Sequence, residues 1–142
     1  MDQRQKIAQL AADKLYRTDR ASQMLGMTIE SVAPGSARVT MRVRPDMANG
    51  HGICHGGLIF ALADSAFAFA CNSHGDNTFA AGAAIEFLAP GRVGELLTAS
   101  ASERWRAGRA GIYEIEVRND RGEPIALFRG RSHQVAGRLV DE

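Results

Sequence analysis

The residues that could do chemistry in this sequence are concentrated between Asn49 and Gly75, in the stretch NGHGICHGGLIFALADSAFAFACNSHG. Asp64 stands in the middle of a run that is otherwise apolar. An ionised carboxylate in such surroundings is costly unless it is paired, hydrogen-bonded or reached by water, so its presence calls for a role. Gly56 and Gly57 open the same run. If the run is a helix, its first backbone N–H groups have no internal partner and lie at the positive end of the helix dipole. With no side chain in the way, they can donate to the negative charge that develops on a carbonyl oxygen under attack. The glycines also permit a tight loop-to-helix turn, and the two readings are compatible. His55, just before them, either supports the loop through a side-chain bond or touches the reacting group. Asn49 begins an Asn-Gly pair, the composition of an ordinary turn. Ser65 reads as a helix-packing serine, and His51, His74 and His133 as loop or strand residues without a partner pattern.

These groups need a scaffold. From Gly57 to Ser73 the sequence predicts a helix apolar on every side except at Asp64 and Ser65, and such a helix must be buried all round. It is too short, and too polar at its centre, for a membrane span, so the protein itself has to wrap it. Ile7, Leu10, Ala11 and Leu15 recur at helical spacing and predict an opening helix to about Thr18, followed by a short turn from Arg20 to Leu25 that Gly26 stops. The wrapper is the strand-rich remainder. Met27 to Val32 reads as a strand, and Ala37, Val39, Met41 and Val43 alternate with polar residues in the next. Phe79 to Leu88 is an apolar strand ended by Pro90-Gly91. In the strand from Glu95 to Arg104 the face carrying Leu97, Ala99 and Ala101 continues to Trp105. Gly111, Tyr113, Ile115 and Val117 mark the next strand, and Pro124 to Val135 the last, the final three forming an antiparallel meander. The expected result is an α+β fold, a single domain over 1–142 with a helical segment 1–25 and a core 27–135. In it a curved, mostly antiparallel sheet wraps around one long central helix.

Composition bounds the partners. A formal net charge of +1 gives no field that would draw in nucleic acid or a membrane surface. Cys54 and Cys71 make neither a disulfide framework nor a zinc motif, so both are expected as reduced thiols and no metal site is expected. The first residues include Asp2, Arg4, Lys6, Asp13 and Lys14 without an apolar run, which leads to the expectation of a cytoplasmic protein.

NGHGICHGG followed by LADSAFAFACNSHG resembles the PaaI-like group of hot-dog acyl-CoA thioesterases, associated with phenylacetate degradation. The likeness continues through IEFLAPGRVGE and ALFRGRSH and so spans nearly the whole chain. It implies the hot-dog fold and hydrolysis of an aryl-acyl-CoA, of the phenylacetyl or hydroxyphenylacetyl type, to the free acid and coenzyme A. Coenzyme A is then part of the substrate and no separate cofactor is expected. The resemblance makes Asp64 the general base or nucleophile, gives the polarising role to the N–H of Gly57, and has Asn49 orient the attacking water or the carbonyl. It also implies a homodimer with shared active sites, assembled into a homotetramer. Gly57 and Asp64, seven residues apart on one helix, would stand roughly 10 Å apart. One helix therefore cannot easily bring both to one thioester, whereas two antiparallel helices can.

One departure bears on this. Relatives place a Ser or Thr on the strand after the helix, where this chain has AAGAA from Ala80 to Ala84. Small side chains there would leave space for a flat aryl group or, equally, allow close helix-to-sheet packing. The phosphates of coenzyme A need cations at the mouth of the site, and the candidates, with Gly56 beside the thioester, are Arg104, Arg106, Arg109, Arg129 and Arg131. Two other readings of the fold are a hydratase or dehydratase of acyl chains and a non-catalytic acyl-CoA sensor. A sensor normally carries a DNA-binding segment, and the first 25 residues show no basic helix-turn-helix.

Overall fold

The computed structural model describes residues 2–141; Met1 and Glu142, the ends of the expected domain, lie outside the described residues. In chain order the elements are α1 (Gln3–Thr18), α2 (Arg20–Met24), β1 (Thr28–Ala33), β2 (Ser36–Arg42), a 3-10 turn (Pro45–Met47), α3 (Gly56–Cys71), β3 (Asp76–Phe87), β4 (Leu96–Ala107), β5 (Ala110–Arg118) and β6 (Pro124–Arg138). The described strands form one six-stranded sheet in the order β1-β2-β4-β5-β6-β3, every neighbouring pair antiparallel. It wraps α3, which is the hot-dog arrangement.

The period-two pattern becomes rungs across the inner face. Val39 pairs with Ala99, Ala99 with Val117, Val117 with Ala126, and Ala126 with Phe87, so one apolar row crosses five strands. Onto these rows α3 presses Leu62, Ala63, Ala66, Phe67 and Ala70, all buried. Phe67 lies directly over Gly130, where an added Cβ would meet the ring at 2.6 Å. The missing side chain thus lets the helix seat on β6, and burying a side chain of that size is worth about 1.5–3 kcal/mol.

α1 begins at Asp2, whose side chain accepts from the Gln5 N–H at 2.8 Å. Asp19 then serves two helices. Its own N–H closes α1 on the Tyr16 carbonyl, and its side chain opens α2 by accepting from the Ser22 N–H. Gly26, at φ +69°, turns the chain into β1, as expected.

Several expectations need correction. The buried stripe of α1 is Ile7, Ala8, Ala11 and Ala12, while Leu10 is 45% exposed, because the short alanines are what allow the helix to lie close. Trp105 leaves the inner face. A bulge between Glu103 and Trp105 adds one residue to β4, so Trp105 pairs with Ile112 on the outer side. α3 stops at Cys71 with Asn72 as its cap, its carboxamide bonded to the Ala68 and Thr78 carbonyls. Nor is α3 buried all round: Gly57 is exposed, and Ala61, Asp64 and Ala68 are only half-buried. These four follow helical spacing and make one open flank. On the same side lies β3, an edge strand exposed along most of its length, with Phe79 at 62% and Phe87 at 54%.

Candidate active site

The loop before α3 is latched on both sides. Cys54 donates to the Gly91 carbonyl at 2.7 Å and His55 to the Met47 carbonyl at 2.9 Å. Within it, the Asn49 side-chain oxygen accepts from the N–H groups of His51 (2.9 Å) and Ile53 (3.3 Å), and Gly52 takes φ +78°. Asn49 therefore shapes the loop with its carbonyl oxygen, the turn that its Asn-Gly pair suggests.

The latched loop delivers His55 as the N-cap of α3, and the first-turn donors can be accounted for one by one. Leu58 and Ile59 donate to the His55 carbonyl at 2.9 and 3.3 Å. Gly57 donates to His55 Nδ1 at 2.9 Å. The expectation of a bare Gly57 donor is thus corrected, because the imidazole has taken it; an Nδ1 that accepts carries no proton, which puts the proton of the neutral ring on Nε2. Gly56 is left. Its N–H has no acceptor among the described residues, and an added Cβ would meet the Phe87 ring at 3.2 Å, so it lies beside the end of the exposed β3 edge.

Asp64 lies two turns further along α3, on the open flank. Its carboxylate has no hydrogen-bond or ion-pair partner among the described residues, and its oxygens are not sealed from solvent. Burial, and then the negative charge of Asp19, hold it above the ordinary carboxylate range. It lines a cavity of about 490 Å³ shared with Leu15, Thr18, Asp19, Phe79 and Ala80. Ser65 does not turn to Asp64; its Oγ is 2.7 Å from Ser22 Oγ, which donates to Asp19 Oδ2 at 2.6 Å. Sequence reasoning missed Asp19 and Thr78 in this cavity. Asp19 carried one signal, an acidic residue between two helical patterns, while Thr78 precedes the alanine stretch and commits its hydroxyl to the Asp76 carbonyl at 3.0 Å. Cys71 is a buried free thiol pushed up to about 12 by burial and by the Asp64 charge.

The five arginines are not gathered at the helix start. Arg104 pairs with Glu114 at 3.6 Å and Arg106 with Glu103 at 3.9 Å. Arg106 and Arg109 flank the β4–β5 hairpin beside His74 and Cys71, at the far end of α3. Arg129 and Arg131 sit on the outer face opposite Ala84 and Gly82 of β3, and Arg131 donates to the Ala81 carbonyl at 3.3 Å. His74, expected without a partner, is bonded through Nε2 to Glu103 Oε1 at 2.8 Å; Tyr113 donates to the same oxygen at 2.7 Å. Burial raises Glu103, but those two bonds and Arg106 outweigh it and hold the carboxyl below its usual range. His51 and His133 are exposed loop and strand residues. Among the described residues no group of three or more His, Cys, Asp or Glu is placed to hold a metal ion.

A free backbone donor at the positive end of a helix and an unpaired carboxylate on that helix are the two parts that attack on a carbonyl requires. Comparison with known proteins agrees with that chemistry. The sequence model of the thioesterase superfamily matches residues 51–126. The acyl-coenzyme A thioesterase PaaI of Escherichia coli (strain K12) is 45% identical over 131 residues, covering 92% of this chain and 94% of that protein. A putative esterase of Archaeoglobus fulgidus is 37% identical over 123 residues, covering 87% of this chain and 80% of that protein. The solved structure of the E. coli PaaI protein from the phenylacetic acid degradation operon superposes with a TM-score of 0.94 at 43% identity, covering 96% of this chain and 99% of that one. With a family match over more than half of its length and a near-full-length relative of this identity, the chain belongs to the thioesterase superfamily, in its PaaI-like hot-dog group.

Proposed function

We propose that this protein hydrolyses an aryl-acyl-CoA to the free acid and coenzyme A, in sites shared between two copies of the chain. The observation that carries the reading is the pairing of an unpartnered Gly56 N–H with an unpartnered Asp64 carboxylate. The Gly56 donor holds the thioester oxygen, and the helix dipole stabilises the negative charge that grows there. Asp64 takes a proton from the attacking water or attacks the carbonyl carbon itself, and its raised proton affinity suits either task. The thiolate of coenzyme A then leaves and takes up a proton; where Asp64 itself has attacked, water hydrolyses the resulting mixed anhydride, which frees the acid and restores the carboxylate. Gly57 becomes a second donor only when the exposed His55 ring swings away from it.

Geometry argues for two chains. Gly56 and Asp64 are eight residues apart, about 12 Å along the axis, whereas both must come within about 3 Å of one carbonyl group. The β3 edge offers the remedy. Phe79 and Ala80 of β3 flank the Asp64 cavity and Phe87 flanks Gly56. If β3 pairs antiparallel with its own copy about a two-fold near Ala83, the Phe79 end of one chain lies against the Phe87 end of the other. Asp64 of one copy then faces Gly56 of its partner. The same pairing covers the exposed apolar edge and the open flank of α3, features that a soluble sheet otherwise protects. Assembly of two such dimers into a tetramer is part of the proposal.

The cavity wall of Leu15, Phe67, Phe69, Phe79 and Ala80 suits a flat aryl group. The E. coli relative is an acyl-coenzyme A thioesterase from the phenylacetic acid degradation operon, and we assign the same substrate class here. Arg109, Arg129 and Arg131, which no carboxylate engages among the described residues, take the coenzyme A phosphates. Asn49 keeps a free amide end for the substrate, since only its oxygen is bound by the loop. A hydratase would instead add water to an unsaturated acyl chain, and thiol release tells the two reactions apart. The purified protein is expected to release thiol from phenylacetyl-CoA or hydroxyphenylacetyl-CoA with no metal added and unchanged by a chelator. Hydration of an enoyl-CoA without thiol release, or complete loss on chelation, would contradict the proposal.

A further inference from the structure

Asp64 shares its cavity with a second carboxylate, that of Asp19, which stands at the elbow between α1 and α2. Asp19 accepts twice from one residue: Oδ1 from the Ser22 N–H at 2.9 Å and Oδ2 from the Ser22 hydroxyl at 2.6 Å. A hydroxyl has a single proton to give, and that of Ser22 goes to Asp19. The 2.7 Å contact between Ser22 Oγ and Ser65 Oγ must then be made with the proton of Ser65. The three residues form a directed chain, Ser65 to Ser22 to Asp19. Its sense is set by the carboxylate at its end, which can only accept. Ser22 is buried, so water does not compete for its hydroxyl.

We propose that Asp19 is a positioning residue for Asp64: clamped by Ser22, its carboxylate is held in the cavity that Asp64 lines and sets a like charge against it. A like charge in the same cavity disfavours the ionised form of Asp64. Its carboxylate becomes a stronger base. Among the described residues no other charge in the cavity opposes this. From the β3 side the cavity receives Thr78, Phe79 and Ala80, none of them ionisable in the working range, and from α3 itself Cys71, whose thiol stays neutral. The helical segment at the N-terminus is thereby a part of the catalytic machinery as well as a cover for the sheet. The inference rests on the role of Asp64 proposed above.

Asp19→Asn is the decisive variant, because asparagine keeps the helix cap and removes the charge. The acid limb of the pH dependence of kcat/KM should move down by about half a pH unit or more. Ser22→Ala, which takes one of the two clamping bonds from Asp19, should move it in the same direction by less. Direct titration of the Asp64 carboxyl by carbon-13 NMR in the unliganded protein should give the same displacement without reference to turnover. If Asp19→Asn folds as the parent does and neither the pH profile nor the carboxyl titration moves, Asp19 is only a helix cap and the inference falls. Activity retained in Asp64→Asn would instead overturn the role of Asp64, while the carboxyl titration would still decide the role of Asp19.

Discussion

At the scale of residues, the Asp64 carboxylate has no hydrogen-bond or ion-pair partner among the described residues. Asp64→Asn keeps the shape and loses the base, so turnover should fall by roughly two orders of magnitude or more with substrate binding largely kept. Turnover within threefold of the parent would make the carboxylate structural. The same substitution carries a stability signature. The folded-state proton affinity of Asp64 is raised above its unfolded value, so folding favours the protonated form. The ionised group costs stability once the pH exceeds the folded value, and that cost is absent below the unfolded one. Asp64→Asn should therefore melt higher than the parent at neutral pH, and the difference should shrink on acidification towards the ordinary carboxylate range. Asp64 stands out in the sequence as a candidate because a carboxylate in an apolar run is conspicuous. Which of Gly56 and Gly57 keeps a free N–H does not, because that depends on where the His55 ring points. Asp19 is hidden for a related reason, since its significance comes from the cavity it shares with Asp64.

At the scale of elements, the start of α3 is the proposed holder of the thioester oxygen. Proline is accepted at the first position of a helix, and His55, at φ −58° and ψ 129°, already has the backbone that a following proline demands. Gly56→Pro thus removes one N–H while leaving the helix able to form; the new Cβ would meet the Phe87 ring at 3.2 Å, at the exposed end of β3. Turnover should drop by about 10²- to 10³-fold, the usual cost of an oxyanion donor, with circular dichroism and thermal midpoint close to the parent's. Near-parental turnover would return the role to Gly57. The elements themselves were largely readable: the alternation in β2 and β5 and the apolar run of α3 gave their places to within a few residues. The strand bulge that turns Trp105 outward was not, because period-two patterning has no term for an inserted residue. Nor was the exposure of β3, since an apolar strand reads alike whether it is central or waits for a partner.

At the scale of the whole molecule, the proposed donor and base stand on one helix about 12 Å apart, too far to meet at one thioester. The exposed edge of β3, the open flank of α3 and the separation of Gly56 from Asp64 all point to a second copy as the missing part. A shared site makes a prediction that a site within one chain cannot share. In a dimer of one Asp64→Asn chain with one Gly56→Pro chain, one site collects both defects and the other has neither. Each variant alone should be nearly inactive. After subunit exchange of an equimolar mixture, half of the dimers are mixed and each has one intact site of two, so activity should return to about one quarter of the parent's. The measurement is thiol release from phenylacetyl-CoA after exchange, with mixed dimers counted by native mass spectrometry. Activity that rises in step with the mixed dimer is the predicted result; mixed dimers of folded chains no more active than either variant alone would contradict the shared site.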